Sequence, residues 1–391
     1  MARLDRLGPA REVAQIGAVI GRDFSYALLR AVSGMDDAAL QTTLDRLADA
    51  DILLVQGLPP QSEYRFKHAL IQDAAYENLL KSRRQQFHRL IAQTLVERFP
   101  EVAEAEPAII GHHYTEAGLG EQAIVFWQKA GQRAVERSAN LEAIAHLTKA
   151  LEILKTQPET TARDRQELVL QTTVGVPLIA VKGMAAPEVQ RAYARAHQLC
   201  QQVGDAPQLF PALFGLWWFC EVKPDLRAAY ELAQQLLNLA GRGDDPTLFI
   251  PAHRAMGHTL FWLGEFASAR AHLEQAIALY DPQLHRSLTF IYGEHAGVIT
   301  RGFTAHVLWY LGHPDRALKA MQEALSIAAK LRDPWTIVMI NVFAAWLRAY
   351  RREPHLVQQP AENALKLARE HQLAFFVGHA TVLQVGARPT G

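Results

Sequence analysis

Cysteine is almost missing from this 391-residue chain, which holds only Cys200 and Cys220. Two cysteines cannot build a disulfide framework, and they fit a reducing compartment. Charge of one sign is missing too: forty Lys and Arg balance forty Asp and Glu. A neutral total gives no general attraction to polyanions or anionic membranes. Long apolar runs are absent. The longest, "FPALFGLWWFC" and "TIVMINVFAAWL", fall short of the roughly 20 residues that span a bilayer. The charged start "MARLDRLGPA" lacks the apolar stretch of a secretory signal. A soluble, cytoplasmic protein is expected. Catalytic signatures are missing as well, since no GxxxxGK[ST], GxGxxG after a strand, HExxH or GxSxG occurs.

What is present is helix. From Glu12 to Asp51 the apolar spacing predicts three short helices, divided at "IGRDF" and "VSGMDD", with Asp36 or Asp37 capping the third. Two β-prone runs then flank Gly57, Pro59 and Pro60 and predict a hairpin with a long loop. Three helices, a hairpin and a following helix make a small winged-helix-like domain over 1–82. The remainder is predicted to be helical throughout, as first hairpins over 83–160 and an irregular array over 161–391.

The array has a repeating signature: a small residue at a turn, an alanine five positions on, and an alanine seven further. It reads Gly118, Ala123, Ala130; Ser138, Ala143, Ala150; Gly264, Ala269, Ala276; and Gly312, Ala317, Ala324. Glycine lets two antiparallel helices join tightly, and alanine lets their backbones approach. Leu263 and Leu311, just before two of these glycines, are expected to close the hairpin cores. The pattern resembles the tetratricopeptide repeat, which implies a mainly α fold ending in an irregular tetratricopeptide-like α-solenoid. That repeat has a period near 34 residues, whereas 48 separate Gly264 from Gly312 and 20 separate Gly118 from Ser138. The short step predicts a helix shared by two hairpins, and the long one an insertion within "DPQLHRSLTFIYGEHAGVIT". "VKPDLRAAYELAQQLLNLA" and "YRREPHLVQQPAENALKLA" look like degenerate copies, and the spacing breaks between Pro158 and Pro187.

Candidate sites are few. His112 and His113 are adjacent, about 100° apart on a helix, and His253 and His258 are five apart; neither pair converges on a metal. The third helix carries Asp36, Asp37, Asp45, Asp49 and Asp51 against Arg46, which opposes docking against DNA phosphates. Lys81, Arg83, Arg84 and Arg89 read as a solvated helix face. Trp262 and Trp309, near the turn glycines, read as core. Trp217 and Trp218 are adjacent, so one of them is expected to face a groove or ligand. In "EYRFKH", alternation places His68 on the side of Tyr64 and Phe66, just before a helix N-terminus. A buried, neutral histidine is the expectation, able to donate to a phosphate.

"AQIGAVIGRDFSYALL", "YRFKHALIQDAAYENLL", "GHHYTEAGLGEQAIVFWQKAG", "RSANLEAIAHLTKALEIL" and "GEFASARAHLEQAIALYDP" together resemble the C-terminal region of bacterial multidomain signalling proteins. Those proteins join a class III adenylate or guanylate cyclase to a STAND-type ATPase, a winged helix and tetratricopeptide-like repeats. The resemblance implies a non-catalytic regulatory region whose repeats bind a protein or small effector. It implies no catalytic residue, metal or cofactor in this chain, and ATP or ADP only where an ATPase module is supplied, as in a split or longer gene product. In that case His68 is the position matching the histidine that senses bound nucleotide. The alternative is a transcription regulator that contacts DNA through the winged helix.

Overall fold

The computed structural model describes residues 8, 10–58, 61–204, 207–243, 245–285, 288–331 and 333–386. Pro59 and Pro60 of the expected hairpin loop, most of the charged start, and Arg286 and Ser287 of the expected insertion lie outside the described residues. The chain divides into two compact units, Met1–Ala130 with Lys149–Gln157, and Gly131–Thr148 with Pro158–Gly391.

In the first unit the three expected helices are α1 (Ala10–Ile20), α2 (Tyr26–Ser33) and α3 (Asp37–Asp49), with a short strand β1 (Asp23–Ser25) between the first two. Asp36 is the cap of α3, its Oδ1 accepting the N–H of Ala39 at 2.9 Å. Asp37 instead pairs with Arg30 at 2.8 Å and accepts the Tyr26 hydroxyl. The hairpin strands are β2 (Leu53–Gln56) and β3 (Glu63–Phe66), and the antiparallel sheet runs β1-β3-β2. Phe24 lies opposite Tyr64, and Leu53 opposite Phe66. The alternation of β3 buries Tyr64 and Phe66 beneath the stacked ring of Phe24, while Glu63 and Arg65 face solvent. β1 escaped the sequence reading because three residues carry too little alternation; it exists because its partner strand pairs with it.

Helices α4 (Ala69–Glu77), α5 (Lys81–Arg98), α6 (Pro100–Ala105) and α7 (Pro107–Glu116) follow. Lys81, Arg83 and Arg89 of α5 are exposed, and Arg84 lies over the Tyr76 ring. α8 (Gly120–Glu136) and α9 (Asn140–Leu154) come next, α8 lying between the turns at Gly118 and Ser138 as the 20-residue step predicted.

The second unit continues with α10 (Thr161–Lys182), α11 (Pro187–Val203), α12 (Leu209–Val222), α13 (Leu226–Arg242), α14 (Phe249–Trp262), α15 (Phe266–Leu279) and the short α16 (Leu288–Tyr292). It closes with α17 (Ala296–Tyr310), α18 (Pro314–Ala328), α19 (Pro334–Tyr350), α20 (Pro354–Glu370) and α21 (Ala374–Gly386). Among the described residues no strand follows β3. Each hairpin packs its two helices together, and its first helix also touches the first helix of the next: α12 meets α14, α14 meets α17, α17 meets α19, and α19 meets α21.

The turns explain the signature. Gly118, Ser138, Gly264 and Gly312 adopt φ of +75°, +57°, +82° and +82°. In each, the N–H of this residue and that of the next donate back to helix carbonyls, as from Gly312 to Trp309 and from His313 to Leu308. This is the Schellman closure, which satisfies carbonyls left bare at a helix end. All eight signature alanines are buried, at 0 to 4% exposure. A bulkier side chain there would force the packed helices apart, at a cost of about 1–3 kcal/mol.

The two degenerate copies are hairpins of the same kind. Arg352 takes the left-handed turn position at φ +57°, with Val357 and Ala364 buried at the alanine offsets. Pro224 occupies the other turn, and the next residue, Asp225, donates to Cys220 at 2.9 Å. The insertion is Tyr280 to His295, which carries α16.

The stretch between Pro158 and Pro187, where the repeat spacing breaks, is largely one helix, α10, which runs unbroken through Pro177. Here Gly175 admits the ring of Tyr193, whose Cζ would lie 2.3 Å from an added Cβ. Leu263 does not close a core; it is 44% exposed, because the chain has begun its turn. Trp262 is not core but 49% exposed, and Trp309 is half-buried.

Candidate functional site

Helix α12 has no polar face. Its sequence "LFPALFGLWWFCEV" is apolar all round, as suits a helix enclosed on every side. Trp217 and Trp218 are therefore both buried, at 0 and 1% exposure, and neither ring faces solvent. Trp217 donates its indole N–H to Thr259 at 2.8 Å.

Behind the two indoles lies a charge. Arg254 of α14 is 0% exposed, and its guanidinium carbon lies 5.2 Å from each indole ring and 5.4 Å from Phe214. It pairs with Glu294, donating from Nη2 to Oε2 at 2.6 Å, with Nε against Oε1. Glu221, near the end of α12, is a second buried carboxylate close enough to feel Arg254. Burial pushes Glu294 up to about 7, with the guanidinium pulling the other way. Burial pushes Glu221 well above the usual carboxylate range. One cation thus faces two acids inside the fold.

His258 lies one helical turn beyond Arg254. Its Nε2 accepts the Trp262 indole N–H at 3.2 Å, which leaves the ring proton on Nδ1, 2.8 Å from Glu221 Oε2 but obliquely placed. Burial, reinforced by Arg254, holds this imidazole neutral, well below its ordinary pKa. Glu221 Oε1 is buried and has no hydrogen-bond partner among the described residues. An unmet buried acceptor costs about 1–3 kcal/mol, more when it is charged.

Glu221 and His258 line a cavity of about 380 Å³. Its walls come mainly from the first helices of four successive hairpins, α12, α14, α17 and α19, and from α21, the last described helix. Trp218, Phe303, Phe343 and Phe376 form buried apolar walls, while the exposed ring of Trp262 gives it a solvent-facing side. The volume falls at the lower end of small-molecule sites. A larger hollow of about 620 Å³, lined among others by Ser138, Val176, His295 and Asp333, lies elsewhere in the second unit. Its two most buried titratable groups are engaged in local structure: Asp333 caps α19, and His295 caps α17 while contacting Tyr280. The smaller cavity combines aromatic walls with an unmet acid, and is the stronger candidate.

The sequence-predicted residues fall in different places. Trp218 lines the cavity, and Trp217 lies behind it against Arg254. His68 lies in the first unit and is exposed, contrary to the expected burial. Strand β3 ends at Phe66, so alternation no longer governs position 68, and the backbone turns into α4 with His68 at its N-cap and no side-chain capping bond. His113 finds a partner that spacing concealed. Its Nδ1 lies 2.8 Å from Nδ1 of His88, whose Nε2 meets the Tyr76 hydroxyl at 3.0 Å. His253 pairs with His272, not with His258. Among the described residues no group of three or more His, Cys, Asp or Glu is arranged to hold a metal, and no helix is long and apolar enough to cross a membrane.

No family model matches the chain. It is 28% identical over 383 residues to an uncharacterized protein, R02095, of Rhizobium meliloti (strain 1021), a match covering 97% of this chain and 37% of that protein. The chain thus spans little more than a third of the relative's length. Among solved structures it is similar to a STAND protein with a tetratricopeptide repeat sensor from Pyrococcus horikoshii, at 10% identity and a TM-score of 0.42. That match covers 96% of this chain and 63% of the other. It is also similar to a Rap protein complexed with competence and sporulation factor, at 15% identity and a TM-score of 0.48, covering 97% and 99%. Scores and identities this low assign no function.

Proposed function

We propose that this chain is a non-catalytic regulatory region that senses a small effector in the cavity between its repeat helices. The observation that carries the reading is the buried, unpartnered Oε1 of Glu221 in an aromatic cavity walled by helices of four successive hairpins and by α21. Because these helices are separated in sequence, an occupant bridges distant repeats and favours the arrangement that fits it. The effector should raise the thermal midpoint of the wild-type chain but not of Val342→Phe, which puts a ring into the cavity from α19. A small-metabolite library that yields no such compound, or compounds that stabilise both proteins equally, would sink the reading. So would nucleoside triphosphate turnover by the purified chain.

The finer reading is the regulatory region of a STAND-type ATPase, with the first unit's N-terminal segment as a winged helix. The order α1-β1-α2-α3-β2-β3 and the sheet order β1-β3-β2 support it, and the greater length of the curated relative leaves room in that protein for further modules. An ATPase module would come from another chain or from a longer form of this one. On this reading the exposed His68, at the N-terminus of α4, donates to the phosphate of ADP bound by that module. A charge-assisted bond of this kind is worth about 1.5–3 kcal/mol. His68→Ala in the assembled protein should weaken ADP binding about ten- to a hundredfold and favour the active state; unchanged affinity and output would reject the assignment.

A further inference from the structure

The reading of the cavity as an effector site can be taken to a ligand class. We infer that the occupant is a small protonated amine with an apolar body, its ammonium group donating to Glu221 Oε1 against the aromatic wall. The inference rests on the proposed sensing role and on three independent features of the site.

The first is hydrogen-bond polarity. The polar groups among the lining residues are Glu221, His258, His379 and the indole N–H groups of Trp218, Trp262 and Trp346. His258 Nε2 accepts from Trp262, while its Nδ1 lies 2.8 Å from Glu221 Oε2 without the alignment of a hydrogen bond. His379 Nδ1 lies 3.0 Å from the Phe375 carbonyl, which only accepts, so Nδ1 carries the proton and Nε2 is an acceptor. Glu221 Oε1 is unmatched. Glu221 is the acidic group among the lining residues, and no Lys or Arg stands among them to pair with it. An anionic ligand would meet that carboxyl with no cation in the lining beside it.

The second is charge. Arg254 is one buried cation beside two buried acids, and its closest contacts go to Glu294. Ionising Glu221 as well leaves one negative charge uncompensated in a dry interior, which is costly. A cation arriving from solvent supplies the missing charge.

The third is the wall. Trp218, Trp262, Phe303, Phe343 and Trp346 line the cavity, and aromatic faces attract ammonium groups, more strongly when these are desolvated. The buried aromatic rings also accept the ligand's apolar body. The cavity volume of about 380 Å³ suits a small molecule.

The test uses three compounds of one size on the full chain, read by calorimetry at neutral pH: 2-phenylethylamine as cation, 2-phenylethanol as neutral isostere, and phenylacetate as anion. The amine should bind about ten- to a hundredfold more tightly than the alcohol, as expected of a charge-assisted bond, and the anion should not bind. In Glu221→Gln, whose carboxamide keeps the shape, the amine should lose that advantage while alcohol binding is retained. If alcohol and amine bind wild type equally, the ligand class is overturned while the cavity stands as a binding site. Equal binding of all three, or an amine preference that survives Glu221→Gln, also overturns it. If none binds while the metabolite screen finds a compound excluded by Val342→Phe, only the amine assignment falls; if both fail, so does the sensing role.

Discussion

Exchanging Arg254 for methionine should destabilise the second unit by about 3–5 kcal/mol, read as a fall in the urea midpoint at neutral pH. The guanidinium is fully enclosed, stacked among Trp217, Trp218 and Phe214, and bonded to Glu294. Methionine fills much the same volume, so the loss is electrostatic: Glu294 keeps its burial and loses its counter-charge. Adding Glu294→Gln to that variant should recover much of the loss, because removing both members of a buried pair is far milder than removing one. Acidification should help the single variant as well. Burial already holds the Glu294 pKa at about 7 against an ordinary 4.5, and without Arg254 it rises further. The folded variant then holds a proton that the unfolded chain has released, so its stability relative to wild type increases as pH falls from about 9 toward 7 and changes little below, where folded wild type holds that proton too. A loss under about 1 kcal/mol, or one insensitive to both the second substitution and pH, would show that the pair carries little.

The same residues show what the sequence could and could not disclose. Turn glycines and alanines are legible because their cause is local: a left-handed turn favours glycine, and two helices packed closely across that turn favour alanine. That logic located all four hairpins of the signature and the insertion between Gly264 and Gly312. It narrows the cap of α3 to Asp36 or Asp37, of which Asp36 caps, because a cap bond spans three residues. Burial at the ends of elements was not legible. His68 was placed inside by extending alternation two residues past the end of β3, and Trp262 was read as core although the turn had already begun. The cavity itself was out of reach. Glu221 and Arg254 lie on different helices, and Glu294 is forty residues beyond Arg254 in the insertion. The available signal was a glutamate ending the apolar run "FGLWWFCE" and an arginine inside the apolar "FIPAHRAMGHTLFW", both charges on helices with no solvent face. A charge without a polar face is worth reading as a site before any motif is sought.

In the first unit the direction of the pH effect reverses, and the expected loss is as large. Acidifying from pH 7 to 4 should cost that unit about 3–6 kcal/mol through His88 and His113 alone. The Tyr76 hydroxyl meets Nε2 of His88, and Nδ1 of His88 meets Nδ1 of His113, a contact in which one ring must accept and which is lost when both rings are charged. Burial, with nearby His112 and Arg84, lowers His88 to about 4; burial, with His88 and His112, lowers His113 to about 3. Unfolded histidines titrate near 6.5, so below that value the unfolded chain binds protons the folded one refuses. Stability is therefore full above about 6.5 and drains away as pH falls toward the folded values. Trp127, which donates to Thr115 at 2.9 Å, belongs to the first unit, whereas the cavity tryptophans belong to the second. Fluorine NMR of fluorotryptophan-labelled protein should therefore follow the two separately. The Trp127 resonance should move to its unfolded position at a urea concentration that falls steadily from pH 6.5 to 4, with a slope approaching two protons taken up. His113→Gln should halve that slope even if it lowers stability at neutral pH. A Trp127 transition flat across this window would mean that the rings charge within the folded unit, and that the histidine chain opens without unfolding it.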